Sequence, residues 1–284
     1  YPEAEVAGLN SKTGYEVMNM NLGAMHNTPG DVGSYGLLYQ WGRKDPFPAA
    51  PTLTGTTATV GAPIYDGDDN EIKITNSSQS STADNNLAFA IANPTVCLSN
   101  YAQFNTSRDW LQADMSNDAL WGNPKGAERN ETNDFLNKGA KSFYDPCPVG
   151  WRVPPADVFR NFTASGGYAW VIDDFDIADI SGDGAKSLAD YDYGWTFNLS
   201  DSASSYFPAA ARFDGSYAML MGSMSGLWGS YWVNAPYPGD MFQGGAYSVL
   251  SFQIKDTAGN EMITTSPAGG GARADAYSVR CIRE

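Results

Sequence analysis

Histidine is almost missing from this chain. One residue, His26, would have to serve wherever imidazole is the natural group, so a serine-type triad or a multi-histidine metal centre has little to draw on. It lies in the turn-like run Met25-His26-Asn27-Thr28-Pro29-Gly30 and reads as a surface-loop residue. Charge is sparse as well. Asp, Glu, Lys and Arg make up 17% of the 284 residues, against about a quarter in ordinary globular proteins. Cations are the scarcer sign, 17 Lys and Arg against 32 Asp and Glu, for a formal net charge of −15. Nucleic acid would be repelled, and an anionic membrane surface is disfavoured on the same ground. No apolar run approaches the roughly 18 residues of a membrane-spanning helix, so direct insertion into a bilayer is not expected. Nothing at Tyr1 has the layout of a signal peptide, so an exported protein is expected here in its mature form. Internal repeats are missing, and no linker separates two domains. The expectation is one domain over residues 1–284, with insertions near 51–140 and 165–195.

Cysteine is scarce but placed with purpose. Cys97, Cys147 and Cys281 allow one disulfide and leave one thiol. Pro146 and Pro148 fix the backbone on both sides of Cys147. Cys281 sits in Tyr277-Ser278-Val279-Arg280-Cys281-Ile282-Arg283-Glu284, whose alternation reads as a strand. A Cys147–Cys281 bond is expected, tying the last strand to the middle of the chain. Cys97, in Val96-Cys97-Leu98, reads as a buried free thiol in a strand. A disulfide-stapled chain belongs in an oxidising, extracellular setting.

What is present is β-rich. Hydrophobic residues reach 42% and aromatics 13%, enough for a substantial core. Strands are expected at 71–75, 87–91, 205–209, 229–235, 247–254, 261–265 and 276–282, with a hairpin turn over 66–71. Helices are few: 155–162 begins like a short amphipathic helix with a proline in its first turn, and 132–139 like a helical turn stopped by Gly139. The fold class read from these signals is α+β, with few short helices, several antiparallel strands and long irregular loops.

Four stretches carry a family likeness: Val17-Met18-Asn19-Met20-Asn21-Leu22-Gly23-Ala24; Gly36-Leu37-Leu38-Tyr39-Gln40-Trp41-Gly42-Arg43; Asp145-Pro146-Cys147-Pro148-Val149-Gly150-Trp151-Arg152-Val153-Pro154; and Tyr277-Ser278-Val279-Arg280-Cys281-Ile282-Arg283. In order and spacing they resemble the FISUMP family of bacterial surface and fimbrial proteins, known among gut anaerobes. Met20 departs from it, standing where the family has arginine. The segment Trp151-Arg152-Val153-Pro154 with a terminal Arg-Cys strand is also similar to formylglycine-generating enzymes and to the variable proteins of diversity-generating retroelements. The resemblance implies a C-type-lectin-like fold whose long loops display ligand contacts on a rigid scaffold. It implies cell adhesion at the cell surface, extracellular and without catalysis, with a glycan or a host or bacterial surface protein as partner. The alternative is a structural subunit of a surface filament, in contact with other fimbrial subunits. A formylglycine-generating-type oxidase would need a reactive cysteine pair near the C-terminus, where only Cys281 sits.

Two constellations stand out as candidate sites. Asp179-Ile180-Ser181-Gly182-Asp183-Gly184-Ala185-Lys186-Ser187-Leu188-Ala189-Asp190 places oxygen ligands Asp179, Ser181, Asp183 and Asp190 at positions 1, 3, 5 and 12 of a calcium-type loop. Gly184 stands at the sharp turn. Lys186 at position 8 and the short Asp190 at position 12 depart from that pattern. They favour the competing reading of a solvated acidic loop, with Ca²⁺ as the candidate cofactor if the loop binds. The second constellation is Trp228-Gly229-Ser230-Tyr231-Trp232-Val233-Asn234-Ala235-Pro236-Tyr237, whose aromatic faces suit sugar rings and protein interfaces. Alternation puts Trp228, Trp232 and Asn234 on one face and Tyr231 and Val233 on the other. The family's matching strand is structural, which implies a buried Trp232. The expected ligand contacts are then Trp228, Tyr231, Asn234 and Tyr237, joined by Arg273 from the glycine-rich tip 267–273. Asp201-Ser202-Ala203 and Asp256-Thr257-Ala258 resemble an O-glycosylation signal of exported proteins.

Overall fold

The run from Trp228 to Pro236 has no consistently polar face, and its position explains why. In the computed structural model it is a nine-residue strand inside the largest sheet, with apolar clusters on both sides. Tyr231, Val233 and Ala235 join Phe159, Phe162, Phe197, Phe207 and Phe252 in one cluster. Trp232 joins Trp41, Trp110, Trp121, Tyr277 and Cys281 in the other. A strand covered on both faces does not alternate between apolar and polar residues. The structure describes residues 7–49, 64–65, 68–72, 75–77, 86–98, 109–111, 117–124, 138–166, 169–215, 219–220, 225–236, 246–255, 261–266 and 269–284.

Within the large sheet the strands run in the order Met219–Leu220, Phe213–Asp214, Ala276–Ser278, Trp228–Pro236, Ala246–Lys255, Glu261–Ser266. Gly269–Gly271 adds to Ala246–Lys255, and Leu37–Gln40 links Ala276–Ser278 to Pro46–Pro48. Pairing in this sheet is antiparallel apart from the Tyr231–Ser278 contact. A second sheet lines up Gly8–Asn10, Glu16–Met18, Ile282–Arg283 and Trp151–Arg152. Gly194–Ser200 and Ala203–Pro208 form a separate ribbon.

The expected strand over 276–282 is thus two strands in two sheets. Ala276–Ser278 belongs to the large sheet and Ile282–Arg283 to the small one. Between them the chain stays fastened to the N-terminal segment: Leu22 N–H donates to the Val279 carbonyl at 2.9 Å and Met18 N–H to the Cys281 carbonyl at 2.8 Å. Cys281 is bonded to Cys147, as the prolines and strand pattern suggested, with Cα atoms 6.0 Å apart. Cys97 is a buried free thiol in Val96–Leu98, again as expected.

Helix is scarcer than the sequence suggested. Among the described residues the one α-helix is Leu87–Ala92, in a stretch read as a strand. Three alanines favour helix, and the Asn86 side chain caps it by accepting from Phe89 N–H at 2.7 Å. The helix expected at 155–162 is instead a series of tight turns. Val158 bonds to Pro155, Arg160 to Asp157 and Phe162 to Phe159, each three residues back, and Arg160–Phe162 is a 3₁₀ turn. This tighter winding goes with Phe159 and Phe162 both being buried in the aromatic cluster. The helical turn expected at 132–139 falls, up to residue 137, outside the described residues. Ile64–Tyr65 is antiparallel to Glu71–Ile72, the pairing that the hairpin expected at 66–71 requires, though residues 66–67 of that turn lie outside the described residues. The fold is therefore mostly antiparallel β-sheet, and α+β overstated its helix. Among the described residues no helix is long and apolar enough to cross a membrane.

Candidate functional site

The proline-bracketed segment that carries the family likeness is a fastening. Asp145 is buried, and its two oxygens accept the backbone N–H groups of Cys147 and Val153, each at 2.8 Å. Lys141 Nζ donates to Asp145 at 3.3 Å, to the Cys147 carbonyl at 2.7 Å and to the Trp151 carbonyl at 2.6 Å. Burial raises the Asp145 carboxyl, against the pull of those two N–H groups and Lys141. Cys147 is thereby presented to Cys281, and Trp151-Arg152 to the Ile282–Arg283 strand.

The expected ligand residues are placed differently from the reading above. Tyr231 is fully buried. Its hydroxyl donates to the Pro208 carbonyl at 2.8 Å and accepts from Asn21 Nδ2 at 3.3 Å. Asn234 is also buried. It accepts from Asn123 Nδ2 at 2.8 Å and donates to the Lys138 carbonyl at 3.1 Å. Arg273 does not sit on an open tip. It lies over the Trp41 ring at 4.3 Å and pairs with the buried Asp109 at 3.2 Å and with Asp118. As placed, none of these three is presented to a ligand in solution, because the strand and the turn that bear them are covered on both sides. Trp228 is half-buried beneath the Arg212 guanidinium, 4.5 Å from its ring. Trp232 is buried, as the resemblance implied. Tyr237, residues 267–268 and the 256–258 signal lie outside the described residues. Asp201 and Ser202 form an exposed turn.

In the acidic loop the carboxylates hold the backbone. Asp179 accepts from Gly182 N–H at 2.6 Å, Gly184 N–H at 2.8 Å and the Ser181 hydroxyl at 3.1 Å. Asp183 accepts from Ala185 N–H at 2.9 Å. Asp190 is buried and accepts from Ile180, Ser181 and Ser187 N–H at 3.0, 3.0 and 2.9 Å, closing a capping box with Ser187. Burial raises its carboxyl, but the donors from Ser181, Ser187 and Ile180 outweigh that and hold it below the usual carboxylate range. Among the described residues no three His, Cys, Asp or Glu side chains converge as ion ligands. His26 sits in an exposed loop 3.5 Å from Asp31.

Among the described residues a surface pocket that no motif pointed to combines apolar walls with a cation. It holds about 130 Å³ between Gly42–Asp45, the Leu87–Ala92 helix, Trp110 and Phe143-Tyr144. Ile91 and Phe143 stand at it 58% and 78% exposed, and Lys44 Nζ lies 4.7 Å from the Phe143 ring. Its segments come from four separate parts of the chain, and one of them, with Ile91, is the helix in place of the expected strand at 87–91. A signal existed in the Asn86 cap before Leu87-Ala88-Phe89-Ala90-Ile91-Ala92. Phe143 has none, since it follows polar residues with no periodicity. No family model, no curated protein and no solved structure matches the chain.

Proposed function

We propose that this chain is a non-catalytic ligand-binding domain of an exported surface protein, built on a C-type-lectin-like arrangement and working in adhesion. The observation that carries the reading is the clasp: Glu16–Met18, Ile282–Arg283 and Trp151–Arg152 lie side by side, and Cys147–Cys281 locks them. Segments far apart in sequence are thereby fixed in one small sheet, a rigid base for loops that leave the core between them. Two further features support it. The buried charged groups Arg43, Asp145, Asp190, Arg273 and Arg280 are all engaged in internal hydrogen bonds, which is scaffold work. Large apolar side chains are meanwhile left outside, on Phe143, Trp170, Val171 and Ile91. The likeness to the FISUMP family agrees with a surface location.

The test is saturable binding of the purified, oxidised protein to panels of glycans and of extracellular proteins. The expected result is at least one ligand that is bound and recovered chemically unchanged. Failure to bind any, or recovery of a converted product, ends the reading. Calcium on residues 179–190 is a separate proposal. Asp179, Ser181 and Asp183 offer exposed oxygens, whereas Asp190 would have to leave its backbone donors to join them.

A further inference from the structure

The pocket beside the Leu87–Ala92 helix chooses between the two partner classes. We propose that it receives one apolar side chain of a protein partner, with a carboxylate next to that side chain resting on Lys44. The inference rests on the surface-binding reading above and narrows it from glycan or protein to protein.

Four observations meet here. The volume, about 130 Å³, suits a benzene-sized or isobutyl group, since a dry cavity of about 150 Å³ holds benzene. Ile91 and Phe143, two large apolar side chains with most of their surface in water, stand at the same opening, where scattered single exposures would need no explanation. Arg43 and Asp45, two of the polar side chains lining the pocket, are already engaged. Arg43 donates to the Val96 carbonyl at 2.7 Å and to Gln40 at 2.9 Å, and it pairs with Asp45 at 2.7 Å. Sugar recognition asks for several free donors and acceptors around a ring, and this pocket presents apolar walls. The fourth observation is charge. Lys44 is exposed, its ammonium lies over the Phe143 ring, and among the described residues no carboxylate pairs with it. In a chain with a formal charge of −15, an unneutralised cation at the mouth of an apolar pocket is matched by an anion on the incoming molecule.

The experiment is a titration of the whole, oxidised, isotope-labelled protein followed by NMR. The probes are N-acetylphenylalanine, which carries ring and carboxylate, and its amide, which lacks the charge. The expected result is saturable shifts at Ile91, Phe143 and Lys44, with the acid bound up to about fivefold more tightly than the amide at low salt, the range of one exposed charge pair. That preference should fall to about onefold in Lys44→Met, and both probes should be lost in Ile91→Glu. Both substituted positions are exposed, and the acid-to-amide ratio on the unaltered protein stands even if a variant folds poorly. Equal binding of acid and amide, unchanged binding in Ile91→Glu, or no saturable shift would each overturn the inference. Shifts elsewhere on titration with N-acetylglucosamine, with Ile91 and Phe143 silent, would overturn it too while leaving the surface-binding reading standing.

Discussion

Arg280 brings a guanidinium into the core, and among the described residues no carboxylate pairs with it. It donates to Asn21 at 3.0 Å, Ser205 at 2.9 Å and the Met18 and Tyr206 carbonyls at 3.3 and 2.6 Å, and it lies 4.1 Å from the Phe207 ring. Burial lowers its pKa to about 10, opposed by Tyr231. A charge held only by dipoles needs the planar fork that reaches several acceptors at once. Arg280→Lys keeps the charge and loses the fork, leaving buried acceptors orphaned at about 1–3 kcal/mol each. The expected loss is about 3 kcal/mol, read from the urea midpoint with the slope unchanged. A loss below about 0.5 kcal/mol, the level of an ordinary surface substitution, would show that the network does not hold the core. Residue identity made some of this legible. Proline on both sides of Cys147 and the strand around Cys281 pointed to their bond, because those signals are local. Arg273 was misplaced because its partner Asp109 lies 164 residues away in sequence, and a glycine-rich neighbourhood says nothing about that.

At the level of elements, the acidic loop shows one carboxylate organising twelve residues. Asp190 ties the start of the loop to its end through three backbone donors. Asp190→Ala is expected to cost about 1–2 kcal/mol, the scale of a lost helix cap. Because the folded carboxyl is held below its ordinary range, its contribution is present above the unfolded pKa of about 4 and fades as the pH falls through the folded value. The gap between wild type and Asp190→Ala should therefore narrow in acid, and a gap that stays constant would speak against the carboxylate. Thermal unfolding with excess Ca²⁺ or EDTA is the companion measurement. If the loop's own hydrogen bonds suffice, the two curves superimpose. A rise of several degrees with Ca²⁺, lost in Asp179→Ala, would establish ion binding. The strands here were easier to read than the helix. The run 247–254 shows alternation, with Leu250, Phe252 and Ile254 on one face, and is long enough for the period to be read. The six residues Leu87–Ala92 form an apolar run too short for periodicity to separate strand from helix. The central strand defeated the alternation rule for the opposite reason: its second apolar face is covered by residues that local sequence does not reveal.

Across the whole molecule, buried tyrosine sets the response to alkali. Burial raises the phenols of Tyr15, Tyr35, Tyr191, Tyr206, Tyr231 and Tyr277, that of Tyr35 to about 12. A raised phenol favours the folded state fully below its unfolded pKa of about 10 and loses that contribution as the pH climbs. Arg280 acts the other way over the same range, but it is one group against six. Stability should fall steeply above pH 10, with tyrosinate absorbance appearing together with unfolding. Independent, gradual titration of the phenols in a folded protein would contradict this. The disulfide works at the same scale. Its 134-residue separation predicts about 5 kcal/mol from loop closure, seen as a lower melting point in Cys147→Ser/Cys281→Ser.

The clasp also has a mechanical side. Glu16–Met18 and Ile282–Arg283 are antiparallel neighbours, so tension entering through the flanking chain on both sides pulls at the same end of the pair and peels it open bond by bond. Peeling stops at Cys281, because the covalent link carries the load straight to Cys147 and past the 134 residues between them. Roughly 450 Å of extensible chain is thereby kept slack. The central strand Trp228–Pro236 lies on that shielded stretch, whereas the pocket, lined by residues 42–45, 87–91, 110 and 143–144, lies on the loaded chain ahead of Cys147. Under tension the stretch between the two cysteines would keep its shape while the chain ahead of Cys147 yielded, and the same pull on the reduced protein would let that hidden length run out.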